Sequence, residues 1–141
     1  MLTTPPRRVV GRDDLCRDCQ ACALGCSLLD AGACSPALAR LVIAKDMARF
    51  EFSIRVCRQC EHPDCVDACP SGALALDAHG IARIDDAECS RCGACARACP
   101  YDSIFYSAQA DRYLKCDLCA GRADSPLCVE LCPVDALVLA P

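Results

Sequence analysis

The residues of this chain that could do chemistry are its cysteines, and their spacing is regular. The most ordered stretch reads Cys89-Ser90-Arg91-Cys92-Gly93-Ala94-Cys95-Ala96-Arg97-Ala98-Cys99-Pro100. Three thiolates two residues apart crowd a tight loop and can grip three irons of one cubane. The fourth, one helical turn further on, points away and suits a neighbouring cluster. Proline behind it ends the turn and sends the chain into an extended segment. Three more groups flank this one: Cys16, Cys19, Cys22 and Cys26 first; Cys57, Cys60, Cys65 and Cys69 second, closed by Pro70; Cys116, Cys119, Cys128 and Cys132 last, closed by Pro133. In every group three residues separate the last two cysteines. Only the earlier gaps widen, at 61–64 and at 120–127, which lengthens a surface loop without disturbing the turn that carries the remote ligand.

Seventeen cysteines in 141 residues leave disulfides, zinc or iron–sulfur clusters as explanations. Disulfides call for a secreted chain with a signal peptide, and the start, Met1-Leu2-Thr3-Thr4-Pro5-Pro6-Arg7-Arg8, leads into no apolar run. A twin-arginine export signal is not expected, and a reducing cytoplasm is. Structural zinc favours two Cys pairs, or one pair with two His, across a longer loop. Here a third cysteine follows after only two residues in two of the groups, and the chain has just two His. Iron–sulfur clusters account best for the pattern.

The composition agrees. Although 54% of the residues count as hydrophobic, 17 of them are Cys and 23 are Ala, and there is no Trp. Such a chain builds a thin apolar core, so metal staples must supply much of its stability. The formal charge of −4 and the lack of any basic block argue against nucleic acid. No run approaches the ~18 apolar residues of a membrane span.

The elements that position the cysteines also repeat. After groups two, three and four the chain reads Cys-Pro-Ser-Gly-Ala-Leu-Ala-Leu (69–76), Cys-Pro-Tyr-Asp-Ser-Ile-Phe-Tyr (99–106) and Cys-Pro-Val-Asp-Ala-Leu-Val-Leu (132–139). Large residues recur five and seven places after each cysteine, which predicts a short strand with one face on the core. Asp77-Ala78-His79-Gly80 is a turn, so 73–84 is expected to be a β-hairpin. Group one departs from the pattern: Ser27 follows Cys26 in place of proline, and an insertion follows. Within it 36–40 reads as a turn, and 41–44 and 49–56 as strands.

Cys34 has no partner spacing and is expected to be a small buried thiol and not a ligand. His62 and His79 lie beside Pro63 and Gly80, where turn or surface roles are expected. Lys115, Arg58 and Arg91 sit next to or inside cysteine loops, where positive charge would raise a cluster's potential unless the charge is merely solvated. The carboxylates are scattered, with no facing pair for acid–base work.

Taken together these motifs resemble the four-cluster, ferredoxin-like electron-transfer subunits of multisubunit oxidoreductases. The likeness covers roughly 11–140 and includes Cys-Arg-Gln-Cys-Glu-His-Pro-Asp-Cys-Val (57–66), Gly80-Ile81-Ala82-Arg83-Ile84-Asp85 and Lys115-Cys116-Asp117-Leu118-Cys119. It implies an α+β fold of two interlocked bacterial-ferredoxin-like modules, short helices and β-hairpins wrapped around four [4Fe–4S] clusters. It also implies nested ligation, where spacing alone leaves sequential pairing open. One cluster would be held by Cys16, Cys19, Cys22 and Cys132, and its mate by Cys116, Cys119, Cys128 and Cys26. An inner pair would be held by Cys57, Cys60, Cys65 and Cys99, and by Cys89, Cys92, Cys95 and Cys69. On that pattern, a single polyferredoxin chain (1–141) comprises an outer module (11–29 with 111–141), an inner module (50–110) and an insertion (30–49) suited to docking.

The expected function is a relay of single electrons, with no catalytic site on this chain, between a larger catalytic subunit and an electron acceptor or donor. Residues 16–45 look most like small subunits accompanying tungsten enzymes of the aldehyde oxidoreductase or benzoyl-CoA reductase type, so a tungsten- or molybdenum-pterin partner is favoured. A flavin/NAD subunit or a ferredoxin could take the electrons, and self-association could extend the conductor. The alternatives are a free soluble polyferredoxin, or a subunit of a hydrogenase, formate or carbon monoxide dehydrogenase.

Overall fold

The computed structural model describes residues 8–119 and 126–140. Its order is β1 (Arg8–Gly11), α1 (Ala21–Ala31), a 3₁₀ turn (Pro36–Leu38), β2 (Val42–Asp46), β3 (Glu51–Arg55), α2 (Asp64–Ala68), β4 (Leu74–Leu76), β5 (Ala82–Ile84), α3 (Ala94–Ala98), β6 (Phe105–Ser107), β7 (Arg112–Leu114), α4 (Leu127–Leu131) and β8 (Leu137–Ala140). The fold is α+β. Among the described residues four sheets form, each two-stranded and antiparallel, and three are local hairpins. The fourth joins the ends of the described residues, β1 to β8, with Val9 opposite Leu139 and Gly11 opposite Leu137. Helix packing follows the same order, α1 on α4 and α2 on α3.

Three helices are five residues long and end on the last cysteine of their group. Cys69, Cys99 and Cys132 are extended, at φ/ψ of −75/111°, −72/116° and −69/114°. That is the conformation a following proline imposes. Ser27, in proline's place, keeps its N–H and lets α1 continue to Ala31, where Gly32 at φ 74° donates its N–H to Leu28 O and ends it. Ser27 is fully buried, its Oγ donating to Leu24 O and accepting the N–H of Ser35, both at 3.0 Å.

Two clusters of buried residues occupy the interior among the described residues, the larger including cysteines and the smaller packed against by them. The larger combines Val9, Leu41, Ile43, Val56, Ala136 and Leu137 with Cys16, Cys22, Cys57, Cys116 and Cys128. The smaller is Leu74, Ala82 and Ile104, with Cys65, Cys69, Cys95 and Cys99 packed on it. The hairpin expected over 73–84 is β4–β5. The two strands expected in the insertion are β2 and β3, and they pair with each other. They close over the larger cluster through Leu41, Ile43 and Val56, with Phe52 and Ile54 against it.

Two expectations need correction. Cys34 is exposed, not buried. It lies in the loop after Gly32, where Gly32, Ala33 and Pro36 are exposed as well. Of the paired large residues behind each cysteine, only the first is buried throughout: Leu74, Ile104 and Leu137 are core, whereas Leu76 and Tyr106 are about half exposed. The three-residue strands leave the core before their second inward position. Strand β1 and the length of α1 were not anticipated.

Candidate metal centres

Each cysteine loop turns by the same device. The residue two places after the first cysteine adopts a left-handed conformation: Asp18 (φ 57°), Gln59 (48°), Arg91 (60°) and Leu118 (58°). Such φ values are uncommon outside glycine and accumulate at functional sites. Here the turn aims a backbone N–H at sulfur, from Gln59 to Cys57 Sγ and from Leu118 to Cys116 Sγ, both at 3.4 Å. A second left-handed residue lies three places after each Cys-Pro cysteine, at Gly72 (φ 70°), Asp102 (51°) and Asp135 (54°). It folds the chain back so that Ala136 N–H reaches Cys132 Sγ at 3.2 Å. In group one, where the helix runs on, Arg40 supplies the N–H to Cys26 Sγ at 3.3 Å from the insertion.

The sulfurs gather around cavities, drawing on separate groups. One cavity is lined by Cys16, Cys19, Cys22 and Cys132, with Ile43 of β2 and Ile54 of β3 in its wall. A second is lined by Cys57, Cys60, Cys65 and Cys99 with Lys115. A third is lined by Cys69, Cys89, Cys92 and Cys95 with Tyr113. The remaining four are electrostatic neighbours: Cys128 is pushed up by burial, with Cys116, Cys119 and Cys26 adding to the shift. Among the described residues no three His, Cys, Asp or Glu side chains converge to the spacing of a single metal ion.

Burial sets the protonation of these thiols. It pushes Cys22 and Cys65 up to about 11 and Cys116 up to about 12. Cys69 and Cys92 move the other way, chiefly through backbone N–H bonds from Leu74 and Ala94. A thiol that holds its proton at neutral pH in a dry pocket ringed with N–H donors gives it up to a metal. Soft sulfur donors in that setting suit iron–sulfur clusters.

Of the cations weighed from sequence, Arg58 stacks over Tyr101 at 3.9 Å and Arg91 pairs with Asp111 at 3.5 Å on the surface. Lys115 is 4% exposed, its Nζ donating to Ala82 O at 2.6 Å and Cys116 O at 2.9 Å. Two residues were missed. Gln59, also buried, donates from Nε2 to Cys116 O at 2.8 Å and accepts Ala82 N–H at 3.4 Å. Arg40 pairs with Asp30 at 2.5 Å and with Asp117 at 2.9 Å. Neither residue type carries a metal-binding signal. Only the spacing of Gln59 inside the Cys57–Cys60 loop could have drawn notice.

Short helices and hairpins presenting thiols in this way define an iron–sulfur protein of ferredoxin type. Residues 48–140 match the family model described as a 4Fe-4S dicluster domain, and the protein belongs to that family. Its cofactors are [4Fe–4S] clusters, and sixteen grouped cysteines are consistent with four of them. The protein is 33% identical over 132 residues to the thiosulfate reductase electron transfer subunit PhsB of Salmonella typhi, covering 86% of this sequence and 69% of that one. It is 41% identical over 88 residues to one subunit of the anaerobic dimethyl sulfoxide reductase of Haemophilus influenzae, covering 60% of this sequence and 43% of the other. With the putative electron transport protein YsaA of Escherichia coli it shares 31% over 140 residues, 93% and 87% of the two sequences. Among solved structures it resembles a component of the active site complex BamBC of benzoyl coenzyme A reductase (TM-score 0.57, 25% identity, 95% of this chain, 75% of that one). None of the described helices is long and apolar enough to cross a membrane.

Proposed function

We propose that this protein is the electron-transfer subunit of an oxidoreductase complex, relaying single electrons through four [4Fe–4S] clusters and carrying no catalytic site of its own. The four ligand sets are those each cavity or neighbourhood gathers: Cys16, Cys19, Cys22 and Cys132; Cys26, Cys116, Cys119 and Cys128; Cys57, Cys60, Cys65 and Cys99; Cys69, Cys89, Cys92 and Cys95. When bound, a cluster at each set accepts and returns one electron.

The observation that carries this reading is that the sets form a series. Cys22 of the first set lies within electrostatic reach of Cys128 of the second, and Cys116 of the second within reach of Cys57 of the third. The third and fourth share the smaller core, where Cys65 and Cys99 pack with Cys69 and Cys95. Among these sixteen cysteines only Cys19 and Cys92 are exposed, and they belong to the first and last sets. A series whose exposed cysteines lie only in its first and last sets suits entry at one end and exit at the other. The protein's task is to fix the spacing, keep water out and set each potential.

The division into two modules draws support from element packing. The outer one (11–29 with 111–141) draws on the pairing of β1 with β8 and α1 with α4, and the inner one (50–110) on α2 with α3. A larger catalytic subunit is the natural electron source or sink, since the relatives bear the names of reductase subunits. An aldehyde-oxidoreductase-like, tungsten- or molybdenum-pterin partner draws support from the likeness to a BamBC component, which covers 95% of this chain. The insertion (30–49) offers a docking tip, where Met47 is 59% exposed and Phe50 just beyond it 76%.

Anaerobic isolation tests the reading. Brown protein with about sixteen irons per molecule (four clusters of four) and a co-isolated larger subunit is the expected result. Colourless or zinc-loaded protein overturns it.

A further inference from the structure

Lys115 is a cation placed where proteins seldom put one. At 4% exposure its ammonium has left water, and among the described residues no carboxylate lies within ion-pair distance of it. Its hydrogen-bond partners there are two carbonyls, Ala82 O on β5 and Cys116 O. Carbonyl dipoles satisfy the N–H bonds but leave the unit charge unbalanced, a state that is costly unless an anion is near. Its neighbour Arg40, whose guanidinium donates to Lys115 O at 3.3 Å, is by contrast balanced by Asp30 and Asp117.

The side chain lines the cavity of Cys57, Cys60, Cys65 and Cys99, whose wall also holds Asp64, beyond ion-pair distance of the ammonium, and the exposed Arg58 stacked over Tyr101. It starts from the residue next to Cys116, so it spans the join between the second and third sets. Gln59 runs beside it and holds the same carbonyl, so its position is fixed from two sides. The missing counter-charge is therefore supplied by what the cavity holds. Four thiolates around a cubane give a net charge of about −2 when oxidised, and one more negative unit on reduction. A fixed cation in a low-dielectric setting stabilises the more negative state.

We propose that Lys115 is the built-in counter-charge of the third set. It raises the reduction potential there and makes that set the holding point for an electron crossing between the two halves of the molecule. This rests on the ligand sets proposed above. The step moves one electron between neighbouring clusters, with no bond made and no proton needed.

The test is a redox titration of the anaerobically loaded protein followed by EPR, with iron measured on each sample. In Lys115→Met one of the cluster signals should become about tenfold harder to reduce, which is about 59 mV for one electron. Lys115→Arg should keep the potential near its original value. Arg83→Gln removes an exposed cation from β5, the strand that carries Ala82, and should leave the signal in place. Unmoved potentials in Lys115→Met overturn the proposal, as does an equal shift in Arg83→Gln. Should Lys115→Met fail to load iron, Lys115→Gln is titrated instead. If neither neutral variant loads, the residue belongs to assembly and the tuning role falls. Loss of the ligand sets themselves would show differently, as unmodified protein without iron.

Discussion

Gln59 Nε2 donates to the carbonyl of Cys116 at 2.8 Å, tying the second cysteine group to the fourth across 57 residues of sequence. The same carbonyl also receives Lys115 Nζ. Gln59→Leu therefore leaves it one donor, and strands only the weaker Ala82 N–H contact at 3.4 Å. The expected loss is about 1 kcal/mol of stability, read from chemical denaturation of the loaded protein. A loss several times larger would mean that the join depends on the amide, not on the ammonium.

Cys99 should act outside its own group. It lines the cavity of Cys57, Cys60 and Cys65, not that of Cys89, Cys92 and Cys95. Cys99→Ser should cost about a quarter of the iron, or convert one cluster to a three-iron form. The signal lost should be the one that Lys115→Met shifts. Cys34→Ser, at an exposed position with no sulfur partner, should leave iron and spectra unchanged. Iron loss in Cys34→Ser, or survival of the Lys115-sensitive signal in Cys99→Ser, would refute the assignment.

Ser27 decides the length of α1. Ser27→Pro would impose on Cys26 the extended conformation seen at Cys69, Cys99 and Cys132, and would break the helix that packs on α4. A cost of about 3 kcal/mol or more is expected, with depleted iron at the sets containing Cys22 and Cys26. Ser27→Ala keeps the helix and loses the two Oγ bonds, to Leu24 O and from Ser35 N–H, for about 1–2 kcal/mol. Thermal melts of the two variants should rank in that order.

Gly11 is a contact, not a hinge. A Cβ there would lie 2.8 Å from Ile54 Cβ, an atom held close to the backbone of β3 that cannot swing aside. Gly11→Ala should separate β1 from the β2–β3 hairpin at a cost of about 1–3 kcal/mol. Ile54 also walls the cavity of Cys16, Cys19, Cys22 and Cys132, so faster oxygen bleaching of one cluster should accompany the loss. A melt unchanged from the parent would contradict the packing.

Cluster loading should depend on pH in one direction. Burial holds Cys65 at about 11 and Cys116 at about 12, against an ordinary 9.0, so both enter the reaction as neutral thiols at pH 7. Iron binding must expel their protons. Raising pH from about 6.5 to 8.5 should therefore speed reconstitution, monitored by visible absorbance. Proton release into weak buffer should accompany it, and a flat or inverted pH profile would argue against buried thiols as ligands.

The sequence by itself determined the chemistry and the punctuation. Soft sulfurs at short fixed spacing name their metal through local geometry, and Pro70, Pro100 and Pro133 stop three helices through a steric clash with the residue before them. The turn at Asp77–Gly80 announced its hairpin for the same reason: each of these signals acts within a few residues. Which cysteines share a cavity was left open by spacing, and tertiary structure decided it by pairing β1 with β8 and α1 with α4. The left-handed residues two places into each loop were invisible because Asp18, Gln59, Arg91 and Leu118 share no side-chain type. At Gln59 and Leu118 the left-handed φ goes with an N–H aimed at sulfur and not with residue preference. The roles of three nearby cations also separated only in space. Arg58 shares a cavity wall with Lys115 but is exposed and stacks over Tyr101, and Arg91 pairs with Asp111 at the surface. Lys115, by contrast, is enclosed by β5 and two cysteine loops that no local pattern brings together.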